Sequence, residues 1–275
     1  MALQQPVRRE HSLHSNRNHA IVLAHRNKHA QCRPPALLAL LLSLLLFFAT
    51  GCAQLSAAQS GQANSTAAGA NGGAKIIYVA IGASDTFGIG TNDPYNNNWP
   101  TDLLNLLGTG HVHLINTGIP GVLIHDALSL ELPIAVDAHP DLVTIWLGVN
   151  DIAASISVNS YTADLNTLLS RLRASAPRAR IVIANIPDLT LLPYFGSYDP
   201  QKLSQIIQGY NEAIASGAQR YHAILVDITQ QNYNLKAHPE YISEDGLHPN
   251  DIGYQQLAKL FYAAILTTQK QANKA

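Results

Sequence analysis

Ser84 and His248 stand far apart in the chain, each in a context that suits proton transfer. Ser84 closes the apolar run Ile76-Ile77-Tyr78-Val79-Ala80-Ile81 and opens the glycine-rich turn Gly82-Ala83-Ser84-Asp85-Thr86-Phe87-Gly88. His248 lies in Glu244-Asp245-Gly246-Leu247-His248-Pro249-Asn250, with the carboxylate of Asp245 three residues ahead of it. A serine hydroxyl becomes a competent nucleophile when an adjacent base takes its proton, and that base needs a partner to orient it. Ser84, His248 and Asp245 offer these three roles, which together imply hydrolysis by acyl transfer. Each also has a plainer reading. A turn serine is commonly a cap or turn former. Asp85 or Thr86 could cap a following helix. Asp245-Gly246 reads as a turn, and Asn250 as the cap of the last helix. Both readings can hold at once.

Acyl transfer also needs donors for the negative charge that develops on the carbonyl oxygen. Asn150, in Trp146-Leu147-Gly148-Val149-Asn150-Asp151, follows a buried apolar run, and its amide can donate. Asn150 or Asp151 could instead be a helix cap. Gly118 and Gly121, in Asn116-Thr117-Gly118-Ile119-Pro120-Gly121, form a tight turn. Glycine there lets a backbone N–H approach a ligand closely.

These residues need a scaffold, and the pattern between them supplies one. Short β-branched runs recur at Ile76–Ile81, Val112–Asn116, Leu142–Leu147, Ile181–Ile186 and Ile224–Ile228. Helical spacing of apolar residues marks Trp99–Leu107, Tyr161–Ala174, Leu203–Tyr221 and Tyr254–Leu266. Strand and helix in alternation predict an α/β domain with a parallel sheet covered on both faces. Continuously apolar strands such as Ile181-Val182-Ile183-Ala184 fit that burial. In such sheets ligands bind beyond the carboxyl ends of the strands. Ser84, Asn116 and Asn150 follow the first three strands there. The apolar segment Leu191–Tyr198 follows the fourth and reads as the wall of an acyl pocket, a lid or a packed loop. Pro187-Asp188 adjoins the same rim.

The first 35 residues hold six basic side chains and one acid, Glu10. A charge-free leucine-rich stretch, Ala36–Phe48, follows, then Ala49-Thr50-Gly51-Cys52. A basic flank before a short apolar run is the pattern of an export signal. Small residues before a cysteine resemble a bacterial lipobox, with Cys52 the lipidated residue, although Ala49 stands where that motif prefers leucine. An uncleaved anchor and simple secretion are the alternatives, and all three place the domain outside the cytoplasm. Residues 53–74, rich in Ala, Gly, Ser, Gln and Asn, read as a flexible linker. Residues 75–275 read as the single folded domain. The only cysteines, Cys32 and Cys52, lie before it, so no disulfide, cysteine nucleophile or cysteine metal site is expected within it. Of the 17 basic and 18 acidic residues, six and one precede Cys52, leaving the remainder a net charge of −6 with His neutral. Such a domain is a poor partner for nucleic acid. His111, His113, His125, His139, His222 and His238 are scattered without metal-ligand spacing.

Four blocks in order resemble the SGNH hydrolase superfamily, the GDSL esterases and lipases: Ile81–Thr86, Asn116–Gly121, Gly148–Asp151 and Asp245–Pro249. Trp99-Pro100 is similar as well. The resemblance implies a flavodoxin-like three-layer α/β/α sandwich with about five parallel strands. It implies ester or thioester hydrolysis without metal or organic cofactor. The catalytic residues would be Ser84, Asp245 and His248, and the oxyanion donors the N–H of Ser84, the N–H of Gly121 and the amide of Asn150. One departure is Ala83, where the family often has aspartate before the serine. Substrates implied are small-molecule, lipid or glycan esters. A classical α/β-hydrolase is disfavoured because no G-x-S-x-G elbow surrounds Ser84. A flavodoxin-like cofactor-binding domain lacks phosphate-loop spacing around Gly82, Gly88 and Gly90. A non-catalytic surface binding module remains the other alternative.

Overall fold

The computed structural model describes residues 75–229 and 233–272. The expected export signal, Cys52 and the linker to residue 74 lie outside the described residues. Five strands form one parallel sheet: β1 (Ile76–Gly82), β2 (Val112–Asn116), β3 (Leu142–Trp146), β4 (Arg180–Ala184) and β5 (Ile224–Val226). Their order is β2-β1-β3-β4-β5. Every residue of β3 is buried, and in β4 only Arg180 is not. That is why those runs carry no polar alternation.

Eight helices accompany the strands among the described residues: α1 (Ser84–Phe87), α2 (Trp99–Leu107), α3 (Ile124–Leu130), α4 (Leu132–Asp137), α5 (Val149–Ala153), α6 (Val158–Ser175), α7 (Pro200–Arg220) and α8 (Asp251–Ala272). The step from β1 to β2 runs one way across the sheet, and the later steps to β3, β4 and β5 run the other. Right-handed crossovers therefore put α2 on one face and α3, α4, α6 and α7 on the opposite face. Helix α8 returns to pack on α2, where the rings of Trp99 and Phe261 stack at 4.3 Å. On the other face α6 meets α7 through Tyr161 and Tyr210, also 4.3 Å apart. The result is the expected three-layer sandwich.

Local chemistry sets the helix starts. The side chain of Asn98 accepts from the N–H of Thr101, and Pro100 sits in the first turn of α2. Ser157 caps α6 and Asp199 caps α7 in the same manner. Asn250 Oδ1 accepts from the N–H groups of Ile252 and Gly253, so Asn250 does cap the last helix. Helices α3 and α4 fill a stretch in which the sequence marked no element. Among the described residues no helix is long and apolar enough to cross a membrane.

Candidate active site

Strands β1 and β3 are neighbours whose onward connections run in opposite directions, which is where open α/β sheets bind ligands. β1 runs almost directly into α1, and Ser84 is the first residue of that helix. The N–H of a first helical residue has no acceptor within its own helix, so it remains available to a ligand. Ser84 is buried to 8% exposure, and its Oγ lies 2.8 Å from His248 Nε2. His248 Nδ1 lies 2.6 Å from Asp245 Oδ2. The three residues are therefore joined in one hydrogen-bonded chain.

The three-residue spacing of Asp245 and His248 has a local cause. Asp245 Oδ1 accepts the N–H of Leu247 at 2.8 Å and that of His248 at 2.9 Å, folding the segment into a tight turn. The turn is closed by Ser243 N–H donating to His248 O at 2.8 Å and Gly246 N–H donating to Ser243 O at 3.0 Å. Gly246 takes φ +73°, and a Cβ there would stand 2.9 Å from Pro193 Cβ. Gly90 backs the histidine: at φ +100°, its Cβ would fall 2.9 Å from His248 Cβ and 2.3 Å from Pro249 O. Both glycines thus allow close approaches that fix the loop.

Partial burial opposes the charge of Asp245. The hydrogen bonds from the His248 ring and from the N–H groups of Leu247 and His248 outweigh it and hold the carboxyl down to about 2. An ionised Asp245 selects the tautomer with hydrogen on Nδ1, which leaves Nε2 free to accept the Ser84 hydroxyl proton. Asp85 behaves oppositely. Burial pushes it up to about 6, with the charge of His248 lowering it and that of Asp245 raising it.

Asn150 lies in the first turn of α5, and its Nδ2 donates to Val122 O at 3.0 Å. An amide carries two hydrogens, so one donor remains. Asp151 Oδ1 and Oδ2 accept from Ile124 N–H at 3.2 and 3.3 Å. These bonds bring the start of α5 against the turn that carries Gly121, whose φ is +80°. That turn is in turn fastened to the Ser84 segment. Asn116 Nδ2 donates to Thr86 O at 2.7 Å, Thr117 N–H to Ala80 O at 2.9 Å, and Ile119 N–H to Gly82 O at 3.0 Å. Ser84, Gly121, Asn150, Asp245 and His248 thus all belong to one interlinked set of loops at the carboxyl end of the sheet.

Three polar contributors were not singled out in the sequence for these contacts. Thr117 is buried, Asp151 is buried and pushed up to about 6 by desolvation, and Glu131 is fully buried. An acid embedded in Leu128-Ser129-Leu130-Glu131-Leu132 was the available signal for the last.

The segment after β4 is a packed loop of two 3-10 turns that buries Leu189, Leu192 and Phe195. Tyr194 N–H donates to Gly246 O at 3.1 Å, tying this loop to the acid–base turn. Between them lies a cavity of about 400 Å³ lined by Leu191, Tyr194, Leu235 and residues 243–246. Among the described residues no group of three or more His, Cys, Asp and Glu side chains is placed to hold a metal.

Comparison with known proteins identifies the family and agrees with the fold. Residues 80–256 match the model of the GDSL-like lipase/acylhydrolase family. The fold is similar to that of a mutant of Axe2, an acetyl-xylooligosaccharide esterase from Geobacillus Stearmophilus, at TM-score 0.58 and 20% identity, covering 70% of this chain and 95% of that one. It is similar also to a Clostridium thermocellum family 3 carbohydrate esterase, at TM-score 0.57 and 20% identity, covering 72% and 98%. A curated relative from Acetivibrio thermocellus, named "Putative endoglucanase X", is 25% identical over 124 residues. That match takes in 45% of this chain and spans only about half, 49%, of the relative's length. The family match covers most of the chain, so the chain belongs to the GDSL-like lipase/acylhydrolase family.

Proposed function

We propose that the protein hydrolyses carboxylic esters through a covalent acyl-enzyme on Ser84. The observation that carries this is the continuous chain Ser84 Oγ, His248 Nε2, His248 Nδ1, Asp245 Oδ2, at 2.8 and 2.6 Å. Ser84 Oγ attacks the ester carbonyl while Nε2 takes its proton. The carbonyl oxygen becomes an oxyanion held by the N–H groups of Ser84 and Gly121 and the remaining Asn150 amide hydrogen. The imidazolium, paired with Asp245, returns the proton to the leaving alcohol, and the ester C–O bond breaks. Water then adds to the acyl-enzyme with His248 again as base, releasing the carboxylic acid and restoring Ser84.

Two of the structurally similar proteins carry carbohydrate-esterase names, which puts acetylated glycans first among substrates to screen, beside lysophospholipids and simple lipid esters. We place the enzyme outside the cytoplasm, with Cys52 as its lipid anchor, on the basic and apolar pattern ahead of that residue. Loss of fatty-acid labelling in Cys52→Ser, with release from the membrane fraction, is the expected result. For the chemistry, a fluorophosphonate probe should label the wild type and not Ser84→Ala. Equal turnover of p-nitrophenyl acetate by Ser84→Ala would refute the mechanism, and absent labelling in wild type would favour a non-catalytic binding module.

A further inference from the structure

Glu131 occupies the joint between α3 and α4 and has no exposed surface. Its Oε1 accepts the N–H of Gly82 at 2.9 Å and lies 3.0 Å from Thr117 Oγ1. Gly82 stands two residues before Ser84, at the end of β1. Thr117 opens the turn that carries Gly121. One carboxyl group thus touches both segments whose relative position the proposed chemistry needs.

The proton inventory at this junction is informative. Thr117 Oγ1 also lies 2.8 Å from Ala80 O, which can only accept. A hydroxyl carries one hydrogen. Ala80 O already accepts the N–H of Thr117 at 2.9 Å, so the hydroxyl hydrogen can serve Glu131 Oε1. Glu131 Oε1 then accepts from both Gly82 N–H and the Thr117 hydroxyl, and as a neutral acid the carboxyl carries its proton on Oε2. Its surroundings favour that state. Burial pushes the group up to about 8, against the hydrogen bonds from Gly82 and Thr117. Its other oxygen, Oε2, is buried with no hydrogen-bond partner among the described residues, which a neutral acid tolerates better than a carboxylate.

Steric detail shows how closely the joint is fitted. A Cβ on Gly82 would stand 2.0 Å from Thr86 Oγ1 and 2.9 Å from Trp146 O. Gly118, next to Thr117, has the same constraint: its Cβ would lie 2.7 Å from Phe87 N. The nucleophile turn and the oxyanion turn therefore meet backbone to backbone, and Glu131 is the side chain that bridges them from below. Ala83 precedes the serine, so no carboxylate from that position supports the turn.

We propose that Glu131 is a positioning residue for ester hydrolysis: as a neutral acid it bridges Gly82 and Thr117 and so fixes the Ser84 hydroxyl relative to the Gly121 N–H. This rests on the reading of Ser84 as nucleophile and Gly121 as oxyanion donor. The role acts through geometry, where a displacement of 1 Å can cost about 10²-fold in rate.

The test compares kcat and KM on p-nitrophenyl acetate for wild type, Ser84→Ala, Glu131→Ala, Glu131→Gln and Thr117→Val, each confirmed as folded by circular dichroism and assayed well below its melting temperature. Glu131→Ala should lower kcat about 10²-fold with KM within about twofold, since uniform substrate binding is untouched. Fluorophosphonate labelling should slow in parallel. Glu131→Gln keeps an oxygen that can accept from both Gly82 and Thr117, and should hold kcat within about fivefold. Thr117→Val should lower kcat about tenfold, and it carries the test if Glu131→Ala does not fold. Wild-type kcat in folded Glu131→Ala or in Thr117→Val overturns the inference. So does a Glu131→Gln variant as impaired as Glu131→Ala, because a neutral bridge would then not suffice. Turnover surviving in Ser84→Ala overturns the underlying mechanism instead, whatever the Glu131 variants do.

Discussion

The two ends of the sheet use polar groups to opposite purpose. At the amino end one guanidinium stitches the chain together. Arg173, near the end of α6, donates to Pro177 O at 3.1 Å and Ala179 O at 2.8 Å, and to Tyr221 O and His222 O at 3.1 Å each. These carbonyls belong to the segments entering β4 and β5, and His222 sits at φ +53°, an uncommon angle that such a clamp can hold. Asp141 does similar service before β3. Its Oδ2 accepts Ile77 N–H at 2.9 Å, and its own carbonyl accepts Arg180 N–H at 2.9 Å. At the carboxyl end the backbone is equally well tied, but donor capacity is left over: the Ser84 N–H and the second Asn150 amide hydrogen. Saturated bonds hold a structure. Residual donors beside a hydroxyl paired with an imidazole are what the proposed chemistry requires.

The largest expected difference between the ends follows directly. Ser84→Ala should lower turnover by about 10⁴-fold or more while leaving the melting temperature within a few degrees, measured on p-nitrophenyl acetate and by scanning calorimetry. Asn150→Ala should cost about 10²–10³ in kcat, since it removes one oxyanion donor. Asp245→Ala should cost less than Ser84→Ala, because its task is orienting the imidazole. A loss in Asp245→Ala equal to that in Ser84→Ala would show that the carboxylate does more than orient.

Arg173→Met should act the other way round. It leaves four carbonyls short of a donor and should lower stability by about 2–3 kcal/mol in urea titration. In the fraction still folded at low temperature, kcat should stay at the wild-type value. A Met variant with normal stability would mean that water serves these carbonyls as well as arginine does. Gly246→Ala joins the two ends of the comparison, since it strains backbone and disturbs the site together. Its positive φ and its contact with Pro193 should cost about 1–2 kcal/mol and should also reduce kcat, because His248 rides on the same turn.

The contrast also bears on what the sequence could reveal. All five strands were legible, because buried parallel strands must be continuously apolar. The long helices were legible through their apolar period, and α8 through its cap Asn250 as well. Ser84, Asn150, Asp245 and His248 were readable because local turns impose fixed spacings around them. Ile124–Asp137 was not readable as helix. Leu128, Leu130 and Leu132 alternate as in a strand, and Pro133 interrupts the run, whereas the structure breaks it into α3 and α4 at Glu131. Arg173 was silent for another reason. Its partners are backbone groups brought near only by tertiary packing, and backbone groups leave no mark on residue type.

The smallest predicted effect sharpens the comparison through pH. The acids raised by burial gather at the carboxyl end: Asp85, Asp102 and Asp151 to about 6, and Glu131 to about 8. An acid raised in the folded state holds its proton more tightly there than in the unfolded chain. Its stabilising contribution is complete below its ordinary value and is lost as pH rises through the folded one. Asp245, held at about 2, works in the opposite sense and matters only as pH falls below the ordinary carboxyl range. The melting temperature should therefore be higher at pH 5 than at pH 8. All four acids contribute to the decline up to about pH 6, and Glu131 alone to the part between about 6 and 8. Glu131→Gln cannot ionise, so it should flatten that upper part by a few degrees and make the lower part shallower as well. An unchanged upper slope in Glu131→Gln would mean that the carboxyl beneath the nucleophile turn already carries its charge at neutral pH.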